Sequence, residues 1–99
     1  MSIVYFPERK AYIEVPTKGT WMNFYLNDTD SEEWKFFENI SKQLRDLDFA
    51  VMMYSAKDAF LPKISYAGED IIGKKEIEDF VKLLKDLQQK NLLKKKEVK

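Results

Sequence analysis

Carboxylates are the densest reactive groups in this chain. Asp28, Asp30, Glu32 and Glu33 crowd one short stretch, Asp46 and Asp48 follow, and Glu69 and Asp70 stand side by side further on. Two carboxylates can share acid and base work on a glycosidic bond, but they must face each other across a cleft about 5 to 10 Å wide, which a one-core chain rarely builds. A calcium loop wants acids alternating with backbone oxygens, and "NDTDSEE" lacks the glycine and terminal spacing of an EF-hand. Capping and solvated turns give these acids a plainer use. The chain has no cysteine and no histidine, so thiol nucleophiles, imidazole bases, catalytic triads, redox dithiols and the usual zinc sites are all excluded. The expectation is a non-enzymatic protein with no catalytic residue, no cofactor and no metal.

The elements that position these residues must share one core, because 99 residues suit a single domain, residues 1–99. Hydrophobic residues make up 44% of the chain, enough for that core despite 34% charged residues. Seventeen basic and seventeen acidic side chains cancel, which removes the global field that nucleic-acid and membrane-surface proteins often carry. No apolar run approaches the roughly 20 residues that span a bilayer, and residues 1–20 lack a signal peptide's apolar stretch, so an intracellular protein is expected.

The pattern along the chain predicts an α+β fold. "IVYF" (3–6), "AYIEV" (11–15) and "WMNFYLN" (21–27) read as strands joined by "PERK" and by "PTKGT", the simplest arrangement being an antiparallel N-terminal meander. Asp30 and Glu33 make a capping box, with Glu33 reaching back to the cap's amide. Trp34, Phe37, Ile40, Leu44 and Leu47 then form one helical stripe. "FAVMMYSA" (49–56) is an almost unbroken apolar run, the mark of a central strand covered on both faces, with Met52 and Met53 packed in the core. A short hairpin turns at Gly68. The C-terminal helix runs from Lys74 to about Leu93, packs Ile77, Phe80, Val81, Leu84 and Leu87 on the sheet, and weakens at Asn91. The expected core is Trp34, Phe37, Ile40, Leu44, Val51, Met53, Ile64, Ile77, Phe80, Val81 and Leu84. A basic frayed tail is expected from about 90 to 99.

Pro62 before a strand, the Gly68 turn, "DIIG" and a closing helix resemble the C-terminal quarter of the thioredoxin fold, where a proline in the cis form precedes the strand facing the dithiol. The resemblance covers about Ala59 to Leu87. The chain departs from that family in having no Cys-x-x-Cys, and residues 57–62 stand where thioredoxins place a helix, so the redox function does not carry over. In style, a short cysteine-free chain rich in Lys and Glu with the ending "LLKKKEVK" resembles the small proteins of filamentous viruses of hyperthermophilic archaea, of the lipothrixvirus and rudivirus type. That resemblance implies a viral protein acting within its host.

Two surfaces remain as functional candidates. Tyr5, Tyr12, Trp21 and Tyr25 are expected on the outward face of the meander, where they stack bases or are buried by the other helix or a second copy of the chain; burial is the reading adopted. The leading function is interaction with a protein, itself as a homodimer or a host macromolecule, through a sheet face or an edge such as 3–6. The alternative is weak nucleic-acid binding by Lys90, Lys94, Lys95, Lys96 and Lys99. Membrane partners are not expected. With no imidazole, stability should stay nearly level from about pH 8 to 5.

Overall fold

The computed structural model describes residues 3–57 and 61–94. Its elements follow in the order β1 (Ile3–Phe6), β2 (Ala11–Glu14), β3 (Trp21–Leu26), α1 (Ser31–Asp46), β4 (Ala50–Ser55), β5 (Lys63–Tyr66), β6 (Glu69–Ile72) and α2 (Lys74–Gln89). The fold is α+β, with N-terminal antiparallel strands and a C-terminal helix packed on a sheet. β1 and β2 pair as a separate hairpin, and the other four strands form one sheet in the order β4-β3-β5-β6. β3 and β4 are parallel and joined by α1, while β5 and β6 continue antiparallel from the other side of β3.

α1 begins, and both helices end, for identifiable reasons. The Asp30 carboxylate accepts from the amides of Glu32 and Glu33 at 2.9 and 3.2 Å, capping α1. The other half of the expected capping box is different: Glu33 accepts from the Asn27 amide rather than from that of Asp30, whose N–H donates to the Asn27 carbonyl. At its end, Asp48 turns to φ 68°, and the amides of Asp48 and Phe49 bond back to Arg45 and Leu44. α2 repeats the device with Asn91 at φ 57° and bonds from Asn91 to Gln88 and from Leu92 to Leu87. These are Schellman endings with Asp and Asn at the left-handed position that glycine usually holds. The expected C-terminal helix therefore stops at Gln89, because Asn91 turns the chain.

Both helices lie on one face of the four-stranded sheet. That inner face is built from Met22, Phe24 and Leu26 of β3, Ile64 and Tyr66 of β5 and Ile71 of β6, all buried. α1 presents Phe37, Ile40 and Leu44 to it, with the Phe37 ring edge-on to Phe24 at 5.1 Å. α2 presents Ile77, Phe80, Val81, Leu84 and Leu87. The β1-β2 hairpin seals the flank of α2: Phe6 packs toward Phe80 at 6.4 Å, and Phe80 stacks on Tyr66 at 5.4 Å. The Tyr66 hydroxyl donates to the Glu14 carbonyl at 2.7 Å, tying the hairpin to the main sheet.

Four expectations are corrected. β4 is an edge strand, not the central one; β3 and β5 hold the centre. The meander is broken after β2, because the segment between β2 and β3 spends its amides elsewhere, Lys18 donating to the Lys94 carbonyl and Gly19 to that of Asp48. Trp34 and Met53 are exposed rather than core, and Val51 is only partly covered. The basic segment does not fray at residue 90, since Leu93 is buried and Lys94 accepts the bond from Lys18; residues 95–99 lie outside the described residues.

Phe80 touches both sheets through Tyr66 and Phe6, so its loss opens the junction as well as the core. Phe80→Ala is expected to cost about 3 to 5 kcal/mol of unfolding free energy. Urea denaturation followed by circular dichroism measures this, and a cost under about 1 kcal/mol would mean that the junction is not where the fold is held.

Candidate interaction surface

The outer face of the four-stranded sheet has neither helix over it. Side chains alternate along a strand, so the residues opposite the buried set point outward: Trp21, Asn23 and Tyr25 of β3, Met52 and Tyr54 of β4, Lys63 and Ser65 of β5, Asp70 and Ile72 of β6. One register row crosses all four strands as Tyr54, Tyr25, Lys63 and Ile72. Within it Tyr54 stacks on Tyr25 at 5.4 Å with the rings 24° apart, and the Lys63 ammonium sits 5.0 Å from the Tyr25 ring centre. Such a row is preorganised, because each ring is held by its cross-strand neighbour. Trp21 is 63% exposed, Tyr54 44% and Met52 42%.

The apolar character continues around the β4 edge onto the helical side. Met53, on the inner face, is 36% exposed and lies with Trp34 of α1 in an open cleft of about 570 Å³, whose other lining residues are polar. Trp34 is fixed against Phe37 at 5.5 Å. Exposed large apolar residues thus flank one sheet edge from both faces, a concentration that goes beyond the scattered single residues of ordinary surfaces.

The four aromatic residues singled out from sequence fall on two surfaces instead of one. Trp21 and Tyr25 belong to the outer sheet face. Tyr5 and Tyr12 stand directly opposite each other on the β1-β2 hairpin, in an edge-to-face pair at 5.4 Å. Tyr5, Tyr12 and Trp21 are exposed and Tyr25 half-buried, so among the described residues the adopted reading of burial by the other helix does not hold. Met52, Met53 and Tyr54 are missed because an unbroken apolar run reads as covered on both faces, and Trp34 because its place in the helical stripe reads as core. A signal was present: the link after β4 is too short for a helix, so two helices were all the cover available, and they share one face.

The lysines give a second, weaker feature. Lys90 pairs with Asp86 at 2.9 Å, Lys94 borders a cleft beside Val15 and Leu92, and Lys95, Lys96 and Lys99 lie outside the described residues. A groove of about 570 Å³ between the helices is lined by Lys35, Lys74, Lys82 and Lys85 along with Glu32 and Glu78. None of those four lysines forms an ion pair among the described residues. Lys74 lies over the Phe36 ring at 5.9 Å, and Lys85 donates to Gln43.

No family model, curated protein or solved structure matches the chain. Neither the thioredoxin fold nor the archaeal viral proteins therefore gains support from a relative. The Leu61-Pro62 bond is cis. Among the described residues no helix is long and apolar enough to cross a membrane, and no group of three acids gathers as a metal site.

Charge at the junction behind this surface titrates in a readable way. Burial, reinforced by the charges of Glu69 and Glu14, pushes the Tyr66 phenol far above its ordinary value of 10.0, with Arg9 pulling weakly the other way. Burial also raises Glu76, opposed by Arg9, whose guanidinium lies 3.1 Å from it and 3.2 Å from Glu69. Both groups favour the fold in their protonated form. The Glu76 contribution is complete below the ordinary glutamate value and fades as pH rises through its raised one, so acid does not unfold the chain through this residue. The Tyr66 contribution is complete below about pH 10 and is lost above it, where the unfolded phenol ionises and the folded one resists. Melting temperature is expected to stay nearly level from about pH 8 to 5 and to fall above about pH 10. Tyr66→Phe should flatten the alkaline fall; equal slopes in wild type and variant would show that another group causes it.

Proposed function

We propose that this chain is a non-enzymatic interaction protein whose working surface is the outer sheet face together with the β4 edge. The observation that carries the reading is the bare row of Tyr54, Tyr25, Lys63 and Ile72 with Trp21 and Met52 beside it. Aromatic and methionine side chains in a rigid arrangement are what the centres of protein interfaces are made of, because they bring large apolar area at little loss of side-chain freedom. Lys63 and Asp70 supply polar anchor points on the same face. The partner that fits is a protein, either another copy or a macromolecule with an apolar strand or groove of its own.

Trp21→Ser, Met52→Ser and Tyr54→Ser combined remove the three most exposed large apolar side chains of the outer face without touching the buried set. The triple variant is expected to keep the wild-type melting temperature within a few degrees, since exposed substitutions usually change stability by about 0.5 kcal/mol or less each. It should lose the proteins that immobilised wild type retains from an extract of its source cells and any self-association that wild type shows. If the variant keeps every one of those contacts, the sheet face is not the working surface.

A second reading, weak binding of nucleic acid, rests on Lys35, Lys74, Lys82 and Lys85 of the interhelical groove, which form no ion pair among the described residues, taken together with the basic sequence at the C-terminal end. Replacing Lys35, Lys74, Lys82 and Lys85 by Glu should abolish a salt-sensitive shift of duplex or single-stranded DNA at about 50 mM salt. No shift with wild type under those conditions removes this reading.

A further inference from the structure

We propose that a second copy of this chain adds to the β4 edge, antiparallel and about a two-fold axis perpendicular to the sheet, so that two four-stranded sheets become one of eight strands. The inference rests on the reading of the β4 side as an interaction surface and names its partner. The two edges of the sheet differ sharply. β6 carries Glu69 and Asp70 within its four residues, the kind of charge that keeps a foreign strand away. β4 is six residues long, "AVMMYS", with no charge, proline or glycine, and no strand pairs with its outer side among the described residues. An uncharged edge of this length is a template for strand addition.

The backbone restricts the register. The amides of Ala50 and Ala56 bond to the Thr20 and Leu26 carbonyls of the β3 segment, so the even-numbered residues of β4 point their N–H and C=O groups toward β3. Those of Val51, Met53 and Ser55 point away, toward the free edge. In a two-fold antiparallel pair that keeps both inner faces on the same side, one residue must sit opposite its own copy. Centring on Met53 places Met53 against Met53 and Val51 against Ser55, so that every outward donor meets an outward acceptor. Centring on Met52 instead leaves Ser55 facing Phe49, whose amide is already bonded to Leu44.

The same register accounts for the exposed side chains. On the outer face it sets Met52 opposite Tyr54 of the other copy, twice over, a sulfur and aromatic contact of the favourable kind. On the inner face the two Met53 side chains meet beneath the α1 helices. α1 lies over both β3 and β4, so strand spacing puts it roughly 10 Å from its copy, the separation of packed helices. Trp34 then lies at the seam between them. This matters because a six-residue edge is small for a stable interface, and the helix flank supplies the remaining area.

Sedimentation velocity of the full chain at about 100 μM is expected to give a dimer, a concentration at which a specific interface of ordinary size is populated. Met53→Pro removes an outward N–H while sparing the ladder to β3, and should give a monomer with an unchanged circular dichroism spectrum. Because Met53 meets its own copy, Met53→Lys and Met53→Glu should each weaken self-association at least about tenfold, and mixing the two should restore it as a mixed dimer. That pair of variants decides the matter even if the proline variant fails to fold. A wild-type monomer at this concentration overturns the proposal, and so does a dimer indifferent to Met53→Lys. Either result leaves the broader reading to be judged by the triple variant of the sheet face, whose loss of a captured protein does not depend on self-association.

Discussion

The rest of the structure depends on one constraint: both helices must cover the same face of the four-stranded sheet. β3, α1 and β4 form a parallel crossover, which packs its helix back on one side only. The alternation of β5 and β6 then turns Ile64, Tyr66 and Ile71 to that same side, so α2 has its apolar partner there and nowhere else. Everything needed to bury Phe24, Phe37, Phe80 and their neighbours is concentrated in one layer. The hairpin of β1 and β2 is used up in closing the flank of α2, through Phe6 and the bond from Tyr66 to Glu14. Nothing among the described residues remains for the outer face, which keeps Trp21, Met52, Tyr54 and Ile72 in solvent.

The elements were legible because each rests on local chemistry. Asp30 caps α1 whatever the strands do, and the stripe of Phe37, Ile40 and Leu44 faces a core by spacing alone. What was not legible is adjacency. An apolar run such as "AVMMYS" has the same composition whether it is covered on both faces or stands at a sheet edge, because periodicity reports faces and says nothing of neighbours. Trp34 shows the same ambiguity: its place in the helical stripe is right, yet it sits at the end of the stripe that overhangs the β4 edge rather than the sheet's middle. The break in the meander was equally hidden, since it depends on the carbonyls of Asp48 and Lys94, far along the chain, taking the amides of Lys18 and Gly19.

The candidate surface was half legible. Outward aromatics in β3 follow from alternation, so Trp21 and Tyr25 were found, and the same rule found Tyr5 and Tyr12. Alternation could not say that these pairs belong to different sheets. Counting cover would have gone further than reading patterns: a sheet with two helices on one face and a short link after β4 has one face to spare. The exposed residues were then already named in the sequence, at the positions opposite Met22, Phe24 and Leu26.

Charge divides the molecule along the same line. The helices carry six of the fifteen lysines and eight of the seventeen acids, and their exposed sides line a polar groove between Lys35 and Lys85. The outer sheet face has Lys63 and Asp70 as its charges, and β4 has none. With its other charges spread over the helices, hairpin and loops, the chain is hydrated away from this face, which leaves the face free to be apolar. Desolvation costs little where few charges must be stripped of water. The bare sheet is therefore the side on which contact with a macromolecule gains most, and the helical side is the one on which it gains least.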